Sequence, residues 1–88
     1  MEGVYVEEFT SPGCGGCPAV KAMLEELSHE FRDRLIVEEV NIADDAARAA
    51  QYGIMTVPAV AINGMLKFMG IPSMKELRNA ILEEMKEP

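Results

Sequence analysis

The chain has 88 residues, 49% of them hydrophobic, and its formal net charge at pH 7 is −7. This length predicts one domain over residues 1–88, and the apolar content favours a compact globule over a disordered chain. The acidic balance argues against nucleic acid as a partner, because phosphate binding calls for a basic surface. No apolar run approaches the roughly 20 residues that cross a bilayer, and Met1-Glu2-Gly3 shows no signal peptide. We therefore expect a cytoplasmic protein without a membrane partner.

The first half of the chain is predicted to alternate between strand and helix. Gly3–Phe9 is rich in residues that favour extended backbone. From the cysteine pair to about Phe31, apolar residues recur at helical spacing. Leu35–Ile42 predicts a second strand and alanine-rich 43–52 a short helix, with Gly53 placed to end that helix in left-handed geometry. A strand, a helix and a strand in this order predict a parallel pair with a right-handed crossover.

The second half is predicted to form a hairpin and a last helix. Asn63-Gly64 between the apolar runs Pro58–Ile62 and Met65–Met69 is a strong signal for a two-residue hairpin. Ser73-Met74-Lys75-Glu76 has the capping-box pattern of a helix start. The buried stripe of that helix is predicted to be Met74, Leu77, Ile81 and Met85. The fold class is thus α/β, in the order β-α-β-α-β-β-α, with a mixed four-stranded sheet covered by helices.

Cys14 and Cys17, separated by two glycines, are the only cysteines. Such a pair can close or open a disulfide and so transfer two electrons, given one accessible thiolate and a second thiol nearby. Unpaired N–H groups at a helix start favour the thiolate of Cys14. Measured round the helix from Val20, Cys17 lies about 60° away and Cys14 about 120° away. Cys14 is therefore predicted to be the exposed nucleophile and Cys17 the sheltered resolving thiol.

Two other interpretations of the pair agree less well with the sequence. Zinc generally needs four ligands, whereas this chain offers two cysteines and His29, which lies about 180° round the helix from Val20. An inert disulfide closing so short a loop would constrain little unfolded-chain entropy, and the cytosol would reduce it. A pair that follows a strand and opens a helix in a βαβ unit favours a redox role.

Several motifs together resemble a known family. They occur in matching order along nearly the whole chain, and a Thr-Val-Pro downstream of a CxxC pair is a specific combination. The motifs are Phe9-Thr10-Ser11-Pro12-Gly13-Cys14-Gly15-Gly16-Cys17-Pro18, Tyr52-Gly53-Ile54, Thr56-Val57-Pro58 and Ile62-Asn63-Gly64. They look like the thioredoxin superfamily, above all the small, glutaredoxin-sized thioredoxins of archaea. The chain differs from typical thioredoxins in having no Trp and no Gly-Pro between its cysteines.

The resemblance implies a minimal thioredoxin fold and assigns roles to residues of the site. Cys14 would attack a target disulfide and Cys17 would release the reduced product. The Val57–Pro58 bond would be cis and pack beside the cysteines, with Thr56 and Val57 offering substrate contacts; the alternative is that Pro58 is an ordinary proline at the start of a strand. Gly70 ends the last strand. Glycine is expected there either because a larger side chain would crowd the cysteines or because the position is an ordinary turn. The resemblance further implies that the substrates are protein disulfides and that the electron donor is a thioredoxin-reductase-like protein. It implies a monomer that needs no bound cofactor.

Glu8 lies six residues before Cys14, where thioredoxins resemble one another in carrying a buried acid that assists proton transfer. A buried carboxyl near the pair could take the proton of Cys17; the alternative is a carboxylate at a solvated strand end. The methionines on helical stripes, Met23 among them, are predicted to be packing residues, whereas Met55 could touch substrates. Two other functions stay open: a glutathione-dependent glutaredoxin, and a non-catalytic redox sensor or adaptor.

Overall fold

The computed structural model describes residues 3–85, so Met1 and Glu2, on which the expectation about a signal peptide partly rests, lie outside the described residues. The elements follow the predicted order, and a short 3₁₀ turn joins the first helix to the second strand. The strands are β1 Val4–Thr10, β2 Leu35–Asn41, β3 Ala59–Ile62 and β4 Met65–Met69, and the helices are α1 Cys17–Phe31, α2 Ala46–Gln51 and α3 Met74–Glu84. Within residues 3–85, none of the helices combines the length and the apolar character that crossing a membrane requires.

The four strands form one mixed sheet in the order β2-β1-β3-β4. β1 pairs with β2 in parallel and with β3 antiparallel, and β4 completes the hairpin at the edge. The predicted parallel pair and the predicted antiparallel edge are therefore both confirmed. β1 occupies a central position, so a residue on it has a neighbouring strand on each side.

Helices cover both faces of the sheet. One face packs against α1 and α3 and forms the larger core cluster, which includes Val6, Val20, Leu27, Ile62, Leu77 and Ile81. The other face packs against α2 and forms a smaller cluster, which includes Phe9, Val40, Ala49, Ala59 and Ala61. Met23, Met74 and Met85 are partly buried against the larger cluster, which confirms them as packing residues. Because side chains alternate along β1, Glu7 faces α2 and Glu8 faces α1.

The turns form where the sequence predicts them. Asn63 and Gly64 have φ of 50° and 82°, the left-handed pair that a two-residue hairpin of this type requires. Gly53 follows α2 with φ of 68°. Ser73 and Glu76 form the capping box of α3, with both reciprocal hydrogen bonds present. These local signals fix the end of α2, the turn between β3 and β4, and the start of α3.

Candidate active site

A tight turn delivers the chain from β1 to the cysteines. The backbone N–H of Cys14 donates to the carbonyl oxygen of Ser11 at 3.2 Å, and Gly13 has φ of 78°. Pro at the second and a left-handed Gly at the third position are typical of a type II turn. Typical thioredoxins have Trp directly before the first cysteine, and Gly13 stands at that position in this chain. The left-handed backbone there favours glycine.

Helix α1 begins at Cys17, with Gly16 as its N-cap and a proline in its first turn. The helix therefore starts later than predicted, because the turn after β1 includes Cys14. Proline is tolerated here, since the first N–H groups of a helix have no partner within the helix. The positive end of a 15-residue helix consequently faces the cysteine pair.

Cys14 and Cys17 are joined by a disulfide, with their Cα atoms 5.5 Å apart. Cys17, the first residue of α1, is buried with 6% of its surface exposed, whereas Cys14 is partly exposed. Helical spacing predicted this difference in exposure. The prediction assumed that Cys14 lies on the helix, whereas the structure places it in the turn before the helix. Geometry of this kind leaves one sulfur within reach of a partner and the other screened.

The loop before β3 packs against the cysteine motif. The Val57–Pro58 peptide bond is cis, as the resemblance implies, and Pro58 is buried. A Cβ added at Gly16 would lie 3.4 Å from Cδ of Pro58 and 2.8 Å from Cδ1 of Ile71. Pro58 and Ile71 thus both lie against Gly16, and a side chain at that position would have to displace Ile71.

Gly70 links the end of β4 to the same loop. Its N–H donates to the carbonyl oxygen of Pro58 at 2.7 Å, and its φ is 105°. A Cβ at Gly70 would meet nothing within 4 Å, so the first carbon of a side chain would not crowd the cysteines. The backbone conformation is what favours glycine. Ile71, which lies against Gly16, is 55% exposed, and Met55, three residues before Pro58, is 93% exposed.

Glu8 is buried on the α1 side of β1, with 2% of its surface exposed. The alternative of a solvated strand end is therefore wrong. Among residues 3–85, no hydrogen-bond partner reaches Oε2 of Glu8. Burial raises the pKa of Glu8 to about 7, with a further increase from the negative charge of Glu39 and an opposing effect of Lys21. A carboxyl with this pKa can accept and release a proton near neutral pH.

Sequence reasoning missed three residues that the structure places at the site. Lys21 lies one helical turn after Cys17, so helical spacing could have indicated it. Glu39 is the register partner of Glu8 on β2, which only the pairing of the strands reveals. Ile71 is an exposed apolar residue without a motif of its own. His29 is exposed, and within the described part of the chain no three His, Cys, Asp or Glu residues are placed to hold a metal ion.

The cysteine pair is joined by a disulfide and lies at the start of a helix, with one sulfur accessible and the other screened. This arrangement places the protein among the dithiol–disulfide oxidoreductases. The Thioredoxin domain family matches residues 5–82. The chain therefore belongs to the thioredoxin family, whose members act on protein disulfides.

Individual relatives agree with this assignment. A "Probable Thioredoxin" of Methanothermobacter thermautotrophicus is 46% identical over 83 residues, covering 94% of this chain and 98% of the relative. The thioredoxin of Methanocaldococcus jannaschii is 43% identical over 81 residues, covering 92% and 95%. A solved mutant thioredoxin from Halobacterium salinarum matches with a TM-score of 0.79 over 93% of this chain and 74% of that chain; at 21% identity it supports the fold. The comparisons give no support to the glutaredoxin alternative.

Proposed function

We propose that the protein is a protein disulfide reductase in which Cys14 attacks the target and Cys17 resolves the intermediate. The observation that carries this assignment is the unequal exposure of the two sulfurs at the start of α1. An incoming disulfide can reach Cys14, and the N–H groups of the helix end stabilise negative charge there. Cys17 is close enough to Cys14 to close the ring and too buried to compete for the target.

The exchange proceeds in two displacements. The Cys14 thiolate attacks one sulfur of the target disulfide; that S–S bond breaks, a mixed disulfide forms, and the other target sulfur leaves as a thiolate. Cys17 then loses its proton and attacks Sγ of Cys14. The mixed disulfide breaks, the Cys14–Cys17 disulfide forms, and the second target thiolate leaves. Two electrons have passed from the dithiol to the target.

Glu8 is the proposed proton acceptor for Cys17 during the second displacement. It is buried on the α1 side of the sheet, and its pKa of about 7 suits proton transfer at neutral pH. The target chain is proposed to bind in extended form against the backbone of Val57, beside Thr56, Pro58 and Gly70. Strand-like pairing of this kind binds a segment through its main chain and so accepts many sequences.

The proposed cycle uses no bound cofactor, because the cysteine pair itself stores the two electrons. A thioredoxin-reductase-like partner returns the electrons to the oxidised pair. We place this monomeric protein in the cytoplasm, where cysteine pairs are kept reduced and disulfides are usually transient and catalytic.

Serine substitution of each cysteine tests the division of roles. With an oxidised protein substrate and dithiothreitol as donor, Cys17→Ser is expected to accumulate a mixed disulfide through Cys14 and to lose at least about a hundredfold in turnover. Mass spectrometry identifies the adduct, and treatment with reductant releases it. The matched variant Cys14→Ser should form no adduct. Normal turnover of Cys17→Ser, or trapping through Cys17 in the Cys14→Ser variant, would overturn the assignment.

The same assay separates the two other functions. Multiple turnovers with dithiothreitol distinguish an enzyme from a redox sensor or adaptor, which would react only once. Replacing dithiothreitol with glutathione and glutathione reductase tests a glutaredoxin, since only that function predicts efficient turnover with this donor. Turnover with glutathione equal to that with dithiothreitol would replace the proposed reductase with the glutaredoxin.

A further inference from the structure

Two pockets open side by side between α1 and the edge of the sheet. One has a volume of about 240 Å³ and is lined by Glu8, by Lys21, Glu25 and Ser28 of α1, and by Glu39 of β2, together with apolar side chains. The other, of about 350 Å³, contains both cysteines and is again lined by Lys21 and Glu39. The two shared residues therefore form the boundary between the buried acid and the disulfide.

Lys21 and Glu39 form an ion pair across this boundary. Nζ of Lys21 lies 3.7 Å from Oε1 of Glu39, and the two side chains are about half exposed, at 53% and 48%. Lys21 belongs to the helix that begins with Cys17, and Glu39 is paired in register with Glu8. The ion pair thus joins the element that carries the resolving cysteine to the strand beside the buried carboxyl.

We infer that the Lys21–Glu39 ion pair closes the outer side of the Glu8 pocket and controls how readily Glu8 exchanges its proton with the cysteine pair and with solvent. The inference rests on the proposed role of Glu8 as proton acceptor. Lys21 and Glu39 are positioning residues in it, because they act on the reaction through Glu8. A pocket of this volume with polar walls has room for water, which can carry the proton past the ion pair.

The charges around Glu8 make the inference specific. Those acting on it are Lys21 and Glu25 of α1 and Glu39 of β2, whereas its partner on β3, Val60, is apolar. Glu39 raises the pKa of Glu8 and Lys21 lowers it. The two charges of the ion pair therefore act on the Glu8 carboxyl in opposite directions. Removing one charge exposes Glu8 to the other, so the two single substitutions must shift its titration in opposite directions.

The test is the titration of Glu8 in the oxidised protein, followed by carbon-13 NMR of the glutamate carboxyls. The Glu8 signal is assigned by its loss in Glu8→Gln. Lys21→Met is expected to raise the midpoint by about half a pH unit and Glu39→Gln to lower it by about as much, since partial exposure screens both charges. The double variant should titrate between the two single variants. Glu26→Gln, an exposed residue that lines neither pocket, serves as the control and should cause no shift.

The pH profile of disulfide reduction provides the second measurement. The part of the profile that changes near neutral pH should shift to higher pH in Lys21→Met and to lower pH in Glu39→Gln, by the same amount as the Glu8 midpoint in each variant. The inference would be overturned if the Glu8 midpoint shifted in the same direction in both variants or did not shift. It would also be overturned if the pH profile of disulfide reduction did not follow the Glu8 midpoint. Because the titration needs no turnover, failure of the cysteine-trapping experiment would refute the proposed function while leaving the titration result intact.

Discussion

Glu7 and Glu8 are adjacent residues with the same side chain and contrasting environments. Both are buried, at 5% and 2% exposure, on opposite faces of β1. Glu7 accepts hydrogen bonds from the Tyr52 hydroxyl and, at 3.4 Å, from the Arg48 guanidinium. Oε2 of Glu8, by contrast, lies in a pocket without a hydrogen-bond partner among residues 3–85. Two carboxyls of one strand are therefore suited to different tasks, one to holding elements together and the other to exchanging a proton.

Replacing Glu8 by Gln should remove a pH dependence from the stability of the oxidised protein. The ordinary pKa is 4.5 and the folded value is about 7, so between these pH values the folded chain holds a proton that the unfolded chain has released. The free energy of unfolding therefore falls as the pH rises through this window and stays low above it. The 2.5-unit difference corresponds to about 3 kcal/mol.

Urea unfolding of the parent and of Glu8→Gln at pH 5 and pH 9 measures this effect. The parent should lose about 3 kcal/mol more than the variant between the two pH values, because glutamine keeps the shape and does not ionise. Glu26→Gln, on the exposed side of α1, should behave like the parent. Equal slopes in the parent and in Glu8→Gln would mean that the Glu8 carboxyl titrates near its ordinary value.

At the scale of the elements, signals carried by neighbouring residues predicted most of the structure. The Asn63-Gly64 hairpin and the Ser73 capping box both form as predicted. The predicted position of Cys14 on α1 was wrong, because Cys14 forms the end of a turn that precedes the helix. The second function of Asn63 could not be predicted either: its Oδ1 accepts from the N–H of Tyr5 on another strand at 2.9 Å. Contacts between distant segments leave no local pattern.

Arg48 is the main link of this kind. Its guanidinium lies 3.0 Å from Glu38 of β2, 3.1 Å from Asp45 at the start of α2, and 3.4 Å from Glu7 of β1. Arg48 is itself largely covered, at 30% side-chain exposure. One cation therefore holds α2 onto the sheet and partners a buried carboxylate.

Arg48→Met should lower the free energy of unfolding clearly more than an exposed control substitution does, because the buried Glu7 carboxylate keeps only its hydrogen bond from Tyr52. Urea unfolding at pH 7 measures the loss. Lys75→Met, which removes one positive charge from an exposed position of α3, is the matched control and should change the stability by less than about 0.5 kcal/mol. A loss in Arg48→Met no larger than in this control would show that the cluster behaves as an exposed surface ion pair.

At the scale of the whole molecule, two apolar clusters on opposite faces of the sheet hold the fold together. Periodicity predicted helices over a mixed sheet, but it does not say which strand of the parallel pair receives the hairpin. In the structure β3 joins β1, and this choice brings the loop at Pro58 against Gly16. The catalytic arrangement thus depends on a strand pairing that only the assembled core selects.

The cysteine pair lies beside these clusters and belongs to neither, so breaking the disulfide should leave the fold intact. The disulfide joins residues three apart in sequence, and closing so short a loop stabilises the folded state by no more than about 2 kcal/mol through unfolded-chain entropy. The reduced protein is expected to keep the far-ultraviolet circular dichroism and the dispersed amide NMR spectrum of the oxidised form.

Urea unfolding with and without dithiothreitol measures the difference in stability. The variant Cys14→Ser with Cys17→Ala is the control and should unfold identically under both conditions, since it has no disulfide to reduce. A collapse of amide dispersion on reduction would mean that the disulfide holds the core together. Such a protein could not alternate between its two redox states without unfolding, and the pair could not serve as a reversible electron carrier.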